Sequence, residues 1–238
     1  MRKYLGMRNQ YLLGGIIGSA FIISSILLHH EFYKKDISII PRVKWDPSTI
    51  RRGSLFEYRE NLTKCLTNIV IHHSGFKFKP GPNYLLAYQL SMGYDDIAYH
   101  FIIDKDGDIY EGRPINFMGA HAGQTKEANE LADKIRTGII SDTPIISAYK
   151  LDPDYGAIGI CLDGNYELEK VLEVQLTALR YLLKSLCFQY KIGKANIFLH
   201  NEVKEKIVRK RGLTFVGNET VCPGKYARNK IKHLISIL

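Results

Sequence analysis

Apolar positions along the chain fall into one long run and several short ones. Residues 11–28, YLLGGIIGSAFIISSILL, are 18 residues without a charge. That is close to the roughly 20 needed to cross a bilayer as a helix, and it predicts one N-terminal transmembrane helix. TNIVIHH, ending at His73, reads as a buried strand, and the segment opened by Gly81-Pro82 and stopped at Gly93 reads as a helix to about Met92. IAYHFIID and DIYEG flank Lys105-Asp106-Gly107 as the arms of a hairpin whose glycine supplies the left-handed turn residue. AIGICL at 157–162 and IFLH at 197–200 are further short strands. Between them Leu172, Leu176, Leu179, Leu183 and Leu186 recur at three-and-four spacing, marking an amphipathic helix over 171–188. Residues 226–238 read as a closing helix. Strands mixed with helices around one sheet make the class α/β or α+β, in a domain of about 180 residues.

The expected organisation follows. Residues 1–10 are a basic cytoplasmic N-terminus, 11–30 an uncleaved signal anchor, 31–60 a stalk that packs on the domain, and 61–238 the domain itself, with an insertion at 124–156. Gly18 and Ala20 have the spacing of a signal-peptidase site, but cleavage there would strand FIISSILL on the mature chain. Arg2, Lys3 and Arg8 outweigh the mixed flank after the span, so the positive-inside rule leaves the N-terminus in the cytoplasm. The predicted location is the cytoplasmic membrane, single-pass, with the domain on the extracytoplasmic side.

Composition changes this picture little. At 45% hydrophobic and 24% charged residues the chain is ordinarily globular, which excludes disordered, collagen-like and coiled-coil classes. Of the net charge of +9, residues 1–35 supply five basic groups against one acid, leaving +5 for the remainder. A surplus that mild is no nucleic-acid footprint.

A mononuclear zinc site needs three or four His, Cys or carboxylate groups on rigid elements. The candidates are His72 and His200, each ending a strand, and Cys222 in TVCPG, where Pro223 and Gly224 fix a turn. A lone strand histidine is more often a satisfied core residue, and ligands this far apart cannot be paired by spacing. The residues alone suggest a metal site without establishing it.

Their arrangement resembles the zinc N-acetylmuramoyl-L-alanine amidases, the family that includes peptidoglycan recognition proteins and amidase-type phage lysozymes. NIVIHHSG, GYDDIAYHFIIDKDGDIYEGRP, GAHAGQ, AIGICLDGNY, FLHNEV and TVCPG follow in the family's order, with a weaker echo at PRVKWDP. The resemblance implies a single mixed β-sheet flanked by helices and one zinc ion on His72, His200 and Cys222. It implies that Tyr99 and Thr220 are catalytic, and that His121 and His100 lie on the substrate side. Regular alternation would put Tyr99 and His100 on opposite faces, which favours Tyr99 as the one that reaches the metal. Thr220 would hydrogen-bond the reacting oxygen or cap a turn. Arg113 is expected as an ion-pair partner and Glu202 as a carboxylate orienting a ligand.

The implied activity is hydrolysis of the amide between N-acetylmuramic acid and L-alanine of the stem peptide, by a monomer whose partners are peptidoglycan or muropeptides and the membrane. The alternatives are a non-catalytic recognition module and a phage-type lytic enzyme with a releasable anchor. The sequence departs from the family in its long 124–156 stretch, which is expected to line or cover the groove. It also departs at Asp154, Tyr155 and Gly156, which stand where an asparagine is usual. Basic residues 204–211 read as a loop, and Cys65, Cys161 and Cys187 as buried thiols with no essential disulfide.

Overall fold

The computed structural model describes residues 37–48 and 55–238. The predicted span at 11–28 lies outside them, and among the described residues no helix is long and apolar enough to cross a membrane. One compact unit runs from Ser38 to Leu238.

The strands are β1 (Ile39–Ile40), β2 (Asn68–His73), β3 (Phe101–Ile103), β4 (Ile109–Glu111), β5 (Gln124–Thr125), β6 (Ala157–Leu162), β7 (Ile197–Leu199) and β8 (Phe215–Val216). The helices are α1 (Leu62–Cys65), α2 (Gly81–Ser91), α3 (Lys126–Arg136), α4 (Ile146–Tyr149), α5 (Glu173–Tyr190) and α6 (Lys225–Ser236). Six strands form one sheet in the order β1-β4-β3-β6-β2-β7, and β5 pairs with β8 in a separate two-stranded ribbon. Only β3 and β4 run antiparallel within the larger sheet, so it is mixed as expected.

The central strands are continuous apolar runs because both of their faces are covered. Ile69, Val70 and Ile71 of β2 and Ile158, Ile160 and Leu162 of β6 are all fully buried. On one face, Val70 packs with Ala122, Val203, Ile207 and Val208, while Ile102 and Cys161 pack with Leu85 and Ile97 beside α2. Helix α5 buries Leu176, Leu179, Leu182, Leu183 and Leu186. Its Gln175, wholly buried, accepts from the Tyr166 hydroxyl at 2.9 Å and donates to the carbonyls of Ile103 and Asp163.

Residues 38–48 are packed on the domain, not free of it. β1 extends the sheet in parallel with β4, and the Trp45 indole donates to the Glu111 carbonyl at 2.8 Å. Residues 204–211 are not a loop: they form successive helical turns that bury Ile207 and Val208.

Candidate metal centre

Sheet register brings the first two groups together. β2 and β7 are parallel neighbours with Ile71 opposite Leu199, so the next residues, His72 and His200, emerge side by side where the strands end. Their ring centroids are 4.4 Å apart. The carboxyl end of parallel strands is where such folds place ligands.

Cys222 arrives from the turn before α6 and is tied to both strand ends. Its sulfur accepts from the His73 N–H at 3.3 Å, its carbonyl accepts from the Asn201 N–H at 3.0 Å, and its N–H donates to Thr220 Oγ1 at 3.1 Å. Thr220 therefore caps the turn with its lone pair, and its hydroxyl proton stays available. Cys222 Sγ lies 3.9 Å from His72 Nδ1. One ligand atom from each of His72, His200 and Cys222 lies within 4.8 Å of the other two, and among the described residues this is the one such group.

The other expected residues fall around this triad differently. The Tyr99 ring is 5.1 Å from the His72 ring and borders the groove. His121 is closer than a groove residue need be, with its Nδ1 3.1 Å from His72 Nε2. His100 is committed to backbone: Nδ1 accepts from the Gly159 N–H and Nε2 reaches the Phe117 carbonyl, both at 2.9 Å. His100 is 1% exposed, and its ring has no nitrogen left for a substrate. Arg113 donates to the carbonyls of Asp96, Ile97 and Met118, so its structural role among the described residues runs through carbonyls. Glu202 accepts from the Leu199 N–H and pairs with Lys232, which fixes the turn carrying His200. Asp154, whose part the sequence leaves open, is buried and accepts from the N–H groups of His121 and Ala122 at 2.8 and 3.0 Å.

Beside the triad opens a cavity of about 750 Å³, bordered by Tyr99, His121 and His200, by Met92 and Tyr94 after α2, and by Arg136 and Tyr149 of the 124–156 insertion. The insertion thus lines the groove.

Burial sets the protonation of the triad. It drives His72 well below the ordinary histidine range, with the neighbouring histidines adding to the shift, and holds His200 at about 4. Both imidazoles therefore keep bare lone pairs at neutral pH. Burial also pushes the Cys222 thiol up to about 12, so only a bound cation would draw it into the thiolate form. Two neutral imidazoles and one thiol suit zinc. Ligand atoms around a tetrahedral zinc lie about 3.3–3.6 Å apart, within reach of side-chain shifts of about 1 Å. The residues present fit the ion.

The profile of the family described as N-acetylmuramoyl-L-alanine amidase matches residues 63–225. The chain belongs to that amidase family. Peptidoglycan-recognition protein SC2 of Drosophila melanogaster is 25% identical over 205 residues, covering 82% of this amidase-family chain and 85% of that protein. Among solved structures, the N-acetylmuramoyl-L-alanine amidase LysC from Clostridium intestinale superposes with a TM-score of 0.51 at 24% identity, covering 84% of this chain and 97% of LysC. The ectodomain complex of peptidoglycan recognition proteins LCa and LCx, solved with tracheal cytotoxin bound, gives a TM-score of 0.55 at 21% identity, covering 82% and 95%. These structural likenesses establish the shared mixed α/β fold.

The buried histidines of this amidase-family domain predict acid sensitivity. His100 and His121 are held down at about 3 by burial, and His72, His73 and His200 are lowered as well. Each binds a proton more readily unfolded, near pH 6.5, than folded. Their contribution to stability is therefore full above about pH 6.5 and declines as pH falls towards 4. Asp152, Asp154 and Asp163 are raised by burial and act with the opposite sign, losing stability as pH rises. Five imidazoles outweigh three carboxyls, and each net proton contributes about 1.4 kcal/mol per pH unit. The urea midpoint of metal-free protein should be lower at pH 5 than at pH 7; an increase on acidification would show that the carboxyls dominate.

Proposed function

We propose that this chain is a zinc-dependent N-acetylmuramoyl-L-alanine amidase that cleaves the bond between the lactyl group of N-acetylmuramic acid and L-alanine of the stem peptide. The observation that carries the reading is the convergence of His72, His200 and Cys222 beside a groove that His200 lines, in a chain of the amidase family. Those three side chains would hold the ion. Zinc bound there supplies a Lewis acid and a water whose pKa is lowered towards about 7.

The chain's own groups account for the rest. In the hydrolysis a water oxygen bonds to the amide carbon, the C–N bond breaks, and the leaving amine takes up a proton, freeing the stem peptide with an L-alanine amino terminus. Burial raises Tyr99 well above the ordinary phenol range, so its hydroxyl stays protonated and can donate to the oxyanion that develops on the carbonyl. Thr220 can direct its hydroxyl proton to the same region. The insertion and the end of α2 wall the groove on two sides and would hold the muropeptide between them. Anchoring by residues 11–28, with the domain beyond the cytoplasmic membrane, belongs to the same proposal.

The test uses the full-length protein, purified in detergent, with zinc measured by elemental analysis and free stem peptide by mass spectrometry after incubation with peptidoglycan. One zinc per chain and released stem peptide are expected. A folded, zinc-free chain that binds muropeptide without cutting it would move the protein to the recognition class. Tyr99→Phe should keep its zinc and lower the rate constant for cleavage about 10²–10³-fold, the range for removing one oxyanion donor. An unchanged rate would show that the phenol is not a donor in the reaction.

A further inference from the structure

We infer that His121 is a positioning residue that fixes the ring proton of His72 on Nε2, leaving Nδ1 as the nitrogen that faces Cys222 and the metal. The inference rests on the zinc reading for its consequence, while the tautomer it assigns is a property of the metal-free chain.

A neutral imidazole carries one ring proton. His121 Nε2 lies 3.3 Å from the Ala157 carbonyl oxygen and 3.5 Å from Asp154 Oδ1, and both are acceptors. That nitrogen must therefore carry the proton, and Nδ1 of the same ring is left as an acceptor. Nδ1 is 3.1 Å from His72 Nε2, so the proton in this contact belongs to His72. What remains on His72 is the Nδ1 lone pair, and that is the atom 3.9 Å from Cys222 Sγ.

The sequence builds a socket for this ring. The His121 side chain is fully buried. A Cβ at Gly159 would lie 2.3 Å from His121 Cδ2, and one at Gly119 would lie 2.5 Å from the same atom. Gly159 pairs with Val70 in the register that pairs Cys161 with His72, so the bare strand position lies two residues from the one opposite His72. Asp154 holds the adjoining loop by accepting from the N–H groups of both His121 and Ala122. His121 is thus clamped by backbone, carboxylate and two glycine positions before any ligand arrives. An outer hydrogen-bond partner that sets the tautomer of a ligating histidine typically changes metal affinity 10–100-fold.

The experiment compares His121→Gln and His121→Leu with the wild type in the full-length protein. Glutamine offers a side-chain oxygen that can accept from His72 Nε2, and leucine offers none. Three readouts are taken: zinc affinity by competition with a chromophoric chelator, thermal midpoint without metal, and ring ¹⁵N shifts of His72 without metal. The leucine variant should bind zinc 10–100-fold more weakly, the glutamine variant should recover most of that loss, and the midpoints of the two should fall alike. In the metal-free wild type, His72 should show the Nε2–H form, and the leucine variant a mixture of the two tautomers. Equal zinc loss in both variants, or wild-type affinity in both, overturns the positioning role. A metal-free wild type with the proton on Nδ1 of His72 overturns the tautomer assignment directly. A wild type with the Nε2–H form that binds no zinc would instead overturn the amidase reading.

Discussion

Cys222→Ala is expected to remove the bound zinc and to lower stem-peptide release by about 10³-fold or more, while the domain stays folded. The sulfur is the one donor of the triad that carries negative charge when coordinated, and the other two are neutral rings. Without it the site has two imidazoles and no anion, and it loses both the strongest bond and the charge that balances the cation. The effect on folding should be small. Cys222 is held mainly through its backbone, by the Asn201 N–H and by Thr220 Oγ1, and alanine keeps both bonds. The lost sulfur leaves a void worth about 1 kcal/mol, together with one unpaired N–H on His73. Cys222→Ser should resemble the alanine variant, because a buried hydroxyl does not ionise. Elemental analysis, a circular dichroism melt and peptide release from peptidoglycan check the three parts. A variant that keeps stoichiometric zinc and normal cleavage would remove Cys222 from the metal centre.

What the sequence made legible divides along physical lines. β2, β6, the β3–β4 hairpin and α5 are visible because local pattern and tertiary burial agree there, and α2 is visible through the Gly81-Pro82 and Gly93 that bound it. β2 has the run Ile69-Val70-Ile71 and β6 is apolar throughout, both buried on both faces, and the leucines of α5 repeat at helical spacing. β1, β5 and β8 are two residues long, and their pairing comes from distant partners such as Ile109, Tyr110 and Val216. No local pattern marks them. Basic residues 204–211 suggested a solvated loop, but the two apolar members Ile207 and Val208 pack under Val70 and make the segment helical.

The candidate site follows the same division. Strand ends placed His72 and His200, while the turn holding Cys222 beside them is a tertiary fact. The likeness to a substrate-side residue pointed His121 towards the groove, but nothing local shows that its Nδ1 meets His72. Alternation between Tyr99 and His100 presupposed a strand, whereas β3 begins only at Phe101. Both side chains therefore approach the same region, and it is hydrogen bonding that separates them: His100 is used up by backbone and Tyr99 faces the groove.

The second large effect is on stability. Arg42→Ala should destabilise the domain by about 3–5 kcal/mol, the range for removing one partner of a buried ion pair. Arg42 donates from both terminal nitrogens to Asp96, at 2.8 and 2.7 Å, and from Nε and Nη2 to Asp46, at 3.2 and 2.9 Å. The side chains of Arg42 and Asp96 are 8% and 3% exposed, so solvent cannot replace the lost cation and two carboxylates are left facing each other. Lysine cannot reproduce the forked contact, and Arg42→Lys should recover little of the loss. The consequence reaches the site through the chain. Asp96 stands three residues before Tyr99, and the Asp96 and Ile97 carbonyls are in turn held by Arg113, so the segment presenting the phenol hangs on two arginines. Urea unfolding measures the stability change. Cleavage assayed well below the new midpoint should still fall, with zinc content unchanged, because Tyr99 has lost part of its support and the triad has not. Adding Asp96→Leu to Arg42→Met, which replaces the pair by apolar groups, should restore much of the lost stability. If the double variant is no more stable than Arg42→Ala, the contribution of Arg42 lies in its packing and its contact with Asp46, and not in the pair with Asp96.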